Sequence, residues 1–138
     1  MKIYISGDGK IPAKKNRMKI YGNRLVKDNG VRNFEKELMA KALTIMSALD
    51  VPLIEEPVSL HLMVIEGDKR RRDLQNYFGS ICDALNKIVY KDDSQIQKLT
   101  AERLHIKGQF GYTIVIEIIK KRRDNGEAGK EEGSNKGM

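Results

Sequence analysis

The sequence predicts an α/β (α+β) domain in which a four-stranded mixed sheet packs against two helices. Some segments alternate apolar and polar residues, as strands do, and two longer segments repeat apolar residues every three or four positions, as helices do. The order of these segments is β-α-β-α-β-β. A sheet with two helices packed on it is the simplest way to bury the apolar side of every segment.

The strands are predicted from period-two alternation bounded by turn residues. Residues 1–7 and 58–66 each show this pattern, and so do residues 96–107 and 112–121. The last two segments are separated by a short glycine-containing run, which predicts that they form a hairpin. Residues 8–32 are rich in lysine and contain glycines, so they predict an extended loop or a loose hairpin.

Two amphipathic helices are predicted between the strands. The first covers residues 32–50, and the second begins at Asp73, whose carboxylate can cap the first turn. Their predicted buried stripes are Phe34, Leu38, Ala42, Ile45 and Leu49 in the first helix, and Leu74, Phe78, Ile81, Leu85 and Ile88 in the second. The polar side of the second helix is predicted to hold Asn76, Ser80, Asp83 and Lys87.

Composition favours a single domain. The chain has 138 residues, of which 40% are hydrophobic, enough for one core. We expect a domain over residues 1–121 and a disordered charged tail over residues 122–138, because the tail has almost no apolar residues. Cys82 is the only cysteine, which excludes an intrachain disulfide and a cysteine zinc site. No apolar run is long enough to span a membrane, so we expect a cytoplasmic protein.

The charge predicts an anionic partner. The net charge is +7, but the segment from Asp124 to Met138 holds two lysines and four acids, so the first 123 residues carry +9. Nucleic acid is the first expectation and an anionic membrane surface the second. A basic protein with no such partner is the plain alternative.

Two basic segments are candidates for DNA binding. Residues 10–27 contain seven lysines and arginines and no acid, and residues 69–72 form a second basic run. Such loops suit contacts to a phosphate backbone, and neither contains a motif that reads bases. The candidate residues are Lys14, Lys15, Asn16, Arg17, Lys19, Arg70, Arg71, Arg72 and Lys91.

Three aspartates flank the second predicted helix and have two possible roles. Asp73, Asp92 and Asp93 suit helix caps and turns, and they also suit Mg²⁺, which prefers carboxylate oxygens, waters and phosphate oxygens. A helix of about 16 residues is about 24 Å long. Asp73 and Asp93 therefore meet only if the helix is short, if the chain folds back, or if a second chain supplies one of them.

The segment over residues 70–96 resembles the RusA family of Holliday junction resolvases, which occurs in bacteria and prophages. The family pattern is Asp-Leu-Asp-Asn, then Asp-Ala-Leu, then Asp-Asp-x-Gln followed by valine or isoleucine. The corresponding residues here are Asp73-Leu74-Gln75-Asn76, Asp83-Ala84-Leu85 and Asp92-Asp93-Ser94-Gln95-Ile96. Pro12, Asn16 and Arg17 match a proline and an Asn-Arg pair in the family's N-terminal loop.

The resemblance implies a RusA-like fold and a homodimeric endonuclease, dependent on Mg²⁺ or Mn²⁺, that cuts four-way DNA junctions by paired nicks during recombination and repair. It places the catalytic and metal-binding positions at Asp73, Gln75 and Asp93, with Asp92 as a further catalytic candidate. The family's second acid is replaced by Gln75 and its lysine by Gly79. The resemblance therefore also allows a weakened or inactive homologue that binds junction DNA.

Overall fold

A computed structural model describes residues 1–12, 18–21, 24–27 and 29–119, and it confirms a four-stranded mixed sheet with two helices. Two short 3-10 turns, Leu74–Tyr77 and Asp93–Gln95, precede the second helix and the fifth strand. The elements are β1 (Lys2–Asp8), β2 (Met18–Tyr21), β3 (Arg24–Lys27), α1 (Asn29–Ala48), β4 (Val58–Glu66), α2 (Phe78–Leu85), β5 (Ile96–His105) and β6 (Gly111–Ile118).

The order of the strands in the main sheet is β1-β6-β4-β5. β6 is antiparallel to both of its neighbours, and β5 is parallel to β4. The predicted hairpin between residues 96–107 and 112–121 is therefore wrong. The chain crosses from β4 through α2 to the sheet edge, where β5 pairs with β4, and β6 then inserts on the other side of β4. The separate pair of β2 and β3 matches the loose hairpin expected within residues 8–32.

The core lies between one face of the sheet and the two helices. β4 has the predicted bounds, and its alternate residues Val58, Leu60, Leu62 and Val64 are buried. Phe34, Leu38 and Ala42 of α1 pack against them in the same cluster. Leu49, predicted to join this stripe, is 52% exposed, because α1 ends at Ala48 and Asp50 adopts a left-handed φ of 53°.

The second helix is shorter than the sequence predicts. It ends at Leu85, because Lys87 takes a left-handed φ of 66° and the chain folds into a loop. Ile54 holds that loop: its N–H donates to the Val89 carbonyl at 2.9 Å, and its carbonyl accepts from the Lys91 N–H at 3.0 Å. Ser80, predicted on the polar side of this helix, is fully buried, and its hydroxyl donates to the Pro12 carbonyl at 3.4 Å.

One end of the sheet gathers the loops that carry charge. β1, β4 and β5 run in one direction and β6 in the other, so the last residues of the first three lie near the first residue of β6. Gly67 follows β4 there, and its carbonyl accepts from the Gly108 N–H at 2.9 Å. Among the described residues, no helix has the length and apolar character needed to cross a membrane.

Candidate functional site

A cavity of about 750 Å³ opens at this end of the sheet. Its wall is formed by the end of β1, the start of α1, the end of β4, the loop before Leu74 and the aromatic rings of Phe110 and Tyr112. Positive and negative side chains line it in equal number: Lys10, Arg70, Arg71 and Arg72, with Asp8, Glu37, Glu66 and Asp73. A wall of this kind can hold a phosphate next to carboxylates.

Arg72 is already paired within the protein. Its two terminal nitrogens donate to the two oxygens of Asp68, each at 2.7 Å. This contact holds the pKa of the Asp68 carboxyl well below its usual range and raises the pKa of the Arg72 guanidinium. The guanidinium also lies 5.9 Å from the centre of the Phe110 ring, on which Lys10 stacks at 4.6 Å. Arg70 and Arg71, which are exposed, are therefore the arginines placed to meet a phosphate.

Glu66 is a buried carboxylate at the back of the cavity. It is 4% exposed and accepts from Arg103 Nε at 2.6 Å and from the Tyr77 hydroxyl. Burial and then this hydrogen bond raise the pKa of Tyr77 above its ordinary value. The positive charge of Arg103 and the two hydrogen-bond donors thus offset the free-energy cost of burying the Glu66 carboxylate.

Asp73 lies at the edge of the cavity and caps the turn that leads into α2. Its backbone is extended, and its Oδ1 accepts from the Gln75 N–H at 3.1 Å, which confirms the predicted cap. The side chain is exposed, so it is also accessible to a ligand. Gln75 is exposed and lies outside the cavity wall as the described residues form it.

Asp92 and Asp93 lie away from this cavity. Asp92 caps the 3-10 turn before β5: its carboxylate accepts from the Ser94 N–H at 3.0 Å, and contacts from Ser94 lower its pKa. Asp93 lies near Cys82 and Tyr90, where burial raises both pKa values and the Asp93 charge adds to the effect. Along the chain, both residues follow α2 and Asp73 precedes it, and of the three only Asp73 lines the cavity.

The described part of one chain contains no cluster of three or more acidic, histidine or cysteine side chains that could hold a metal ion. Mg²⁺ does not require such a cluster, because one or two carboxylates with waters and substrate phosphates usually hold it. Asp73 can supply one such carboxylate, and the arginines that line the same cavity can hold the substrate phosphate beside it.

The predicted DNA-binding residues are only partly covered by the structure. Arg70, Arg71 and Arg72 line the cavity, and Lys91 is exposed in the loop after α2. Lys19 belongs to β2, and the remaining candidates, Lys14, Lys15, Asn16 and Arg17, lie outside the described residues. The predicted tail over residues 122–138 lies outside them as well.

Several residues of the cavity wall were not predicted from the sequence. Asp8 and Glu66 end two strands, Glu37 lies on the first helix, and Phe110 lies between two strands. The sequence does show that Asp8 and Glu66 are acids at the ends of two strands. It does not show that these ends lie side by side, because that requires knowing that both strands pair with β6.

The fold and the cavity define a mixed α/β domain that presents carboxylates and arginines together, an arrangement that suits a phosphate-bearing ligand. The model of the family described as "Endodeoxyribonuclease RusA" matches residues 8–119, which is most of the chain. The chain therefore belongs to the RusA family, a bacterial and phage family of Holliday junction endonucleases, as its resemblance predicted. No curated protein matches the chain.

Proposed function

We propose that this protein is a homodimeric endodeoxyribonuclease that resolves four-way DNA junctions by paired nicks dependent on Mg²⁺ or Mn²⁺. One observation carries the proposal: the exposed carboxylate of Asp73 lies on the same cavity wall as Arg70 and Arg71. We propose the cytoplasm of a bacterial host as its location, with a bacterial or phage gene as its source.

The arginines and the carboxylate have complementary tasks. Carboxylates repel a DNA backbone, and the guanidinium groups of Arg70 and Arg71 offset that repulsion and bind phosphate. Asp73 would hold the metal, with Asp93 and Gln75 as the further candidate ligands. When bound there, the ion would generate the attacking hydroxide and stabilise charge on the leaving oxygen.

A dimer explains how Asp93 could take part. In one chain, the Leu74–Tyr77 turn and α2 together span about 20 Å, and Asp93 follows this span at the turn before β5, outside the wall of the cavity that holds Asp73. A second chain supplies another copy of the Asp92–Asp93 turn, and two copies of the cavity match the two strands that a paired cut requires. Branched DNA is the partner that this symmetry suits.

A cleavage assay on a synthetic four-way junction tests the proposal. Wild-type protein with Mg²⁺ or Mn²⁺ should give symmetric nicks, and Asp73→Asn should lose them while keeping most of its junction binding. The variant removes the charge and keeps the shape of the side chain. Equal cleavage by wild type and Asp73→Asn contradicts the assigned role of Asp73, and binding without any wild-type cleavage contradicts the nuclease.

A second candidate function is junction binding with weak or no cleavage. Gln75 and Gly79 favour it, because the family's pattern has an acid and a lysine at these positions, and a neutral amide binds divalent metals less well than a carboxylate. Gln75→Asp should then raise cleavage strongly. Gln97→Asp, which adds the same charge at an exposed position of β5, is the control and should leave cleavage unchanged.

A further inference from the structure

We propose that Glu66 is a positioning residue for Asp73 and that it acts through Tyr77 and Arg103. The inference rests on the proposed nuclease function and adds to it the contacts that hold the exposed Asp73 in place. Glu66 and Tyr77 line the cavity, but we assign none of the three residues a contact with the substrate. Their role is to fix the backbone on both sides of Asp73.

The two oxygens of the Glu66 carboxylate bind different elements. Oε1 accepts from Nε of Arg103, on β5, at 2.6 Å, and Oε2 accepts from the hydroxyl of Tyr77, in the turn before α2. Glu66 itself is the last residue of β4 and is 4% exposed. One buried side chain therefore joins two strands of the sheet to the turn that Asp73 begins.

These contacts reach the backbone on each side of Asp73. On one side, Arg103 Nη2 donates to the main-chain carbonyl of Arg72, the preceding residue. On the other side, Tyr77 ends the Leu74–Tyr77 turn, in which the Asn76 N–H donates to the Asp73 carbonyl at 3.1 Å. The Asp73 side chain is exposed and is held only by the Gln75 N–H of the same turn among the hydrogen bonds described for it, so its direction depends on the position of this backbone.

Loss of an anchor should change turnover more than binding. A displacement of about 1 Å at a reacting group can cost about a hundredfold in rate. Arg70 and Arg71 make no contact with Glu66 in the network described above, so they should still hold the junction. We expect kcat to fall at least about tenfold with KM changed less than about twofold, the pattern of an interaction needed mainly in the transition state.

The test uses two variants and two matched controls in the full chain. Tyr77→Phe removes one hydroxyl, and Glu66→Gln removes the charge with little change of shape. Tyr4→Phe and Glu117→Gln make the same changes at exposed positions of β1 and β6. For each protein, kcat and KM on the four-way junction are measured, together with amide hydrogen exchange over residues 70–77.

The proposal expects a lower kcat and faster exchange over residues 70–77 in both variants, with both controls like wild type. An unchanged kcat in an active enzyme overturns it. Unchanged exchange overturns it whether or not the wild type cleaves. If the wild type binds junctions without cutting them, the proposed nuclease function is wrong. Amide hydrogen exchange over residues 70–77 then decides by itself whether Glu66 and Tyr77 hold the backbone around Asp73. If Glu66→Gln does not fold, Tyr77→Phe decides.

Discussion

The guanidinium of Arg72 and the carboxylate of Asp68 form a two-point ion pair, with Nη1 and Nη2 each 2.7 Å from an oxygen of Asp68. The side chain of Arg72 is 18% exposed and that of Asp68 36% exposed. The pair closes the loop that leads to Asp73 and neutralises one of the three arginines on the cavity wall. We therefore expect the pair to affect the stability of the protein at acid pH and the contribution of Arg72 to DNA binding.

The Asp68–Arg72 pair should contribute to stability only where Asp68 is ionised. The hydrogen bonds from Arg72 depress the pKa of Asp68 in the folded state, whereas its value in the unfolded chain is about 3.9. The contribution is therefore complete at neutral pH and declines progressively below about pH 4, as the unfolded state takes up the proton first. Urea unfolding of wild type and Asp68→Asn should show a difference at pH 7 that shrinks toward pH 3.

The control for this prediction is a double-mutant cycle with Arg72→Met. The coupling between positions 68 and 72 should be favourable at pH 7 and smaller at pH 3. A coupling that stays constant across this range would mean that the pair does not respond to the charge of Asp68.

The three arginines of the loop should contribute unequally to junction binding. Arg70→Gln and Arg71→Gln should each weaken binding and each lower the dependence of log affinity on log salt by about one unit, because one phosphate contact is lost. Arg72→Gln should weaken junction binding less than either of these changes, because Asp68 already neutralises the charge of Arg72. Gel-shift titrations at several salt concentrations measure this, with Lys98→Gln on exposed β5 as the control. An equal loss for all three arginines contradicts the prediction.

The strands were predictable where the alternation was long. β4 has the predicted bounds because it alternates over all of residues 58–66, with one face in the core. The pairing of β5 was not predictable in the same way. Periodicity indicates that a strand exists, but the partner of β5 depends on the crossover through α2. The short glycine-containing run at residues 108–111 predicted a hairpin that the structure does not form.

The sequence predicted the part of the candidate site whose residues are neighbours along the chain. Asp73 and the arginines before it form one local motif, so the sequence alone singled them out. Glu66 and Arg103 are 37 residues apart, and only the parallel pairing of β4 with β5 brings them together. The role of Asp92 as a cap was foreseeable from turn chemistry, and its predicted catalytic role stays a prediction.

The two neighbouring aspartates before β5 should have different roles: we expect Asp92 to stabilise the fold and Asp93 to act in cleavage. Asp92 caps its turn, while Gln95 accepts from the Asp92 N–H at 2.8 Å and donates to the carbonyls of Ile54 and Glu56 at 2.9 and 3.0 Å. Gln95→Ala should lower the free energy of unfolding by about 1–2 kcal/mol. Asp92→Ala should also destabilise the protein, and Asp93→Asn should leave its stability unchanged.

Thermal and urea unfolding, measured beside junction cleavage, check this separation. Asp93→Asn should reduce cleavage if Asp93 is a metal ligand, as proposed. Full cleavage by Asp93→Asn, or equal loss of stability in the Asp92 and Asp93 variants, would contradict the division between the two.

Two glycines in the same region should respond to alanine with opposite signs. A β carbon on Gly67 would collide with the backbone of Gln109, so Gly67→Ala must push the loop before Asp73 away from the β5–β6 connection. We expect a loss of about 1–3 kcal/mol in the free energy of unfolding, the usual cost of overpacking. Gly79 is exposed within α2, where alanine favours the helix by up to about 1 kcal/mol. Urea denaturation of Gly67→Ala and Gly79→Ala compares them directly, and a Gly67→Ala protein as stable as wild type would show that the loop is free to move.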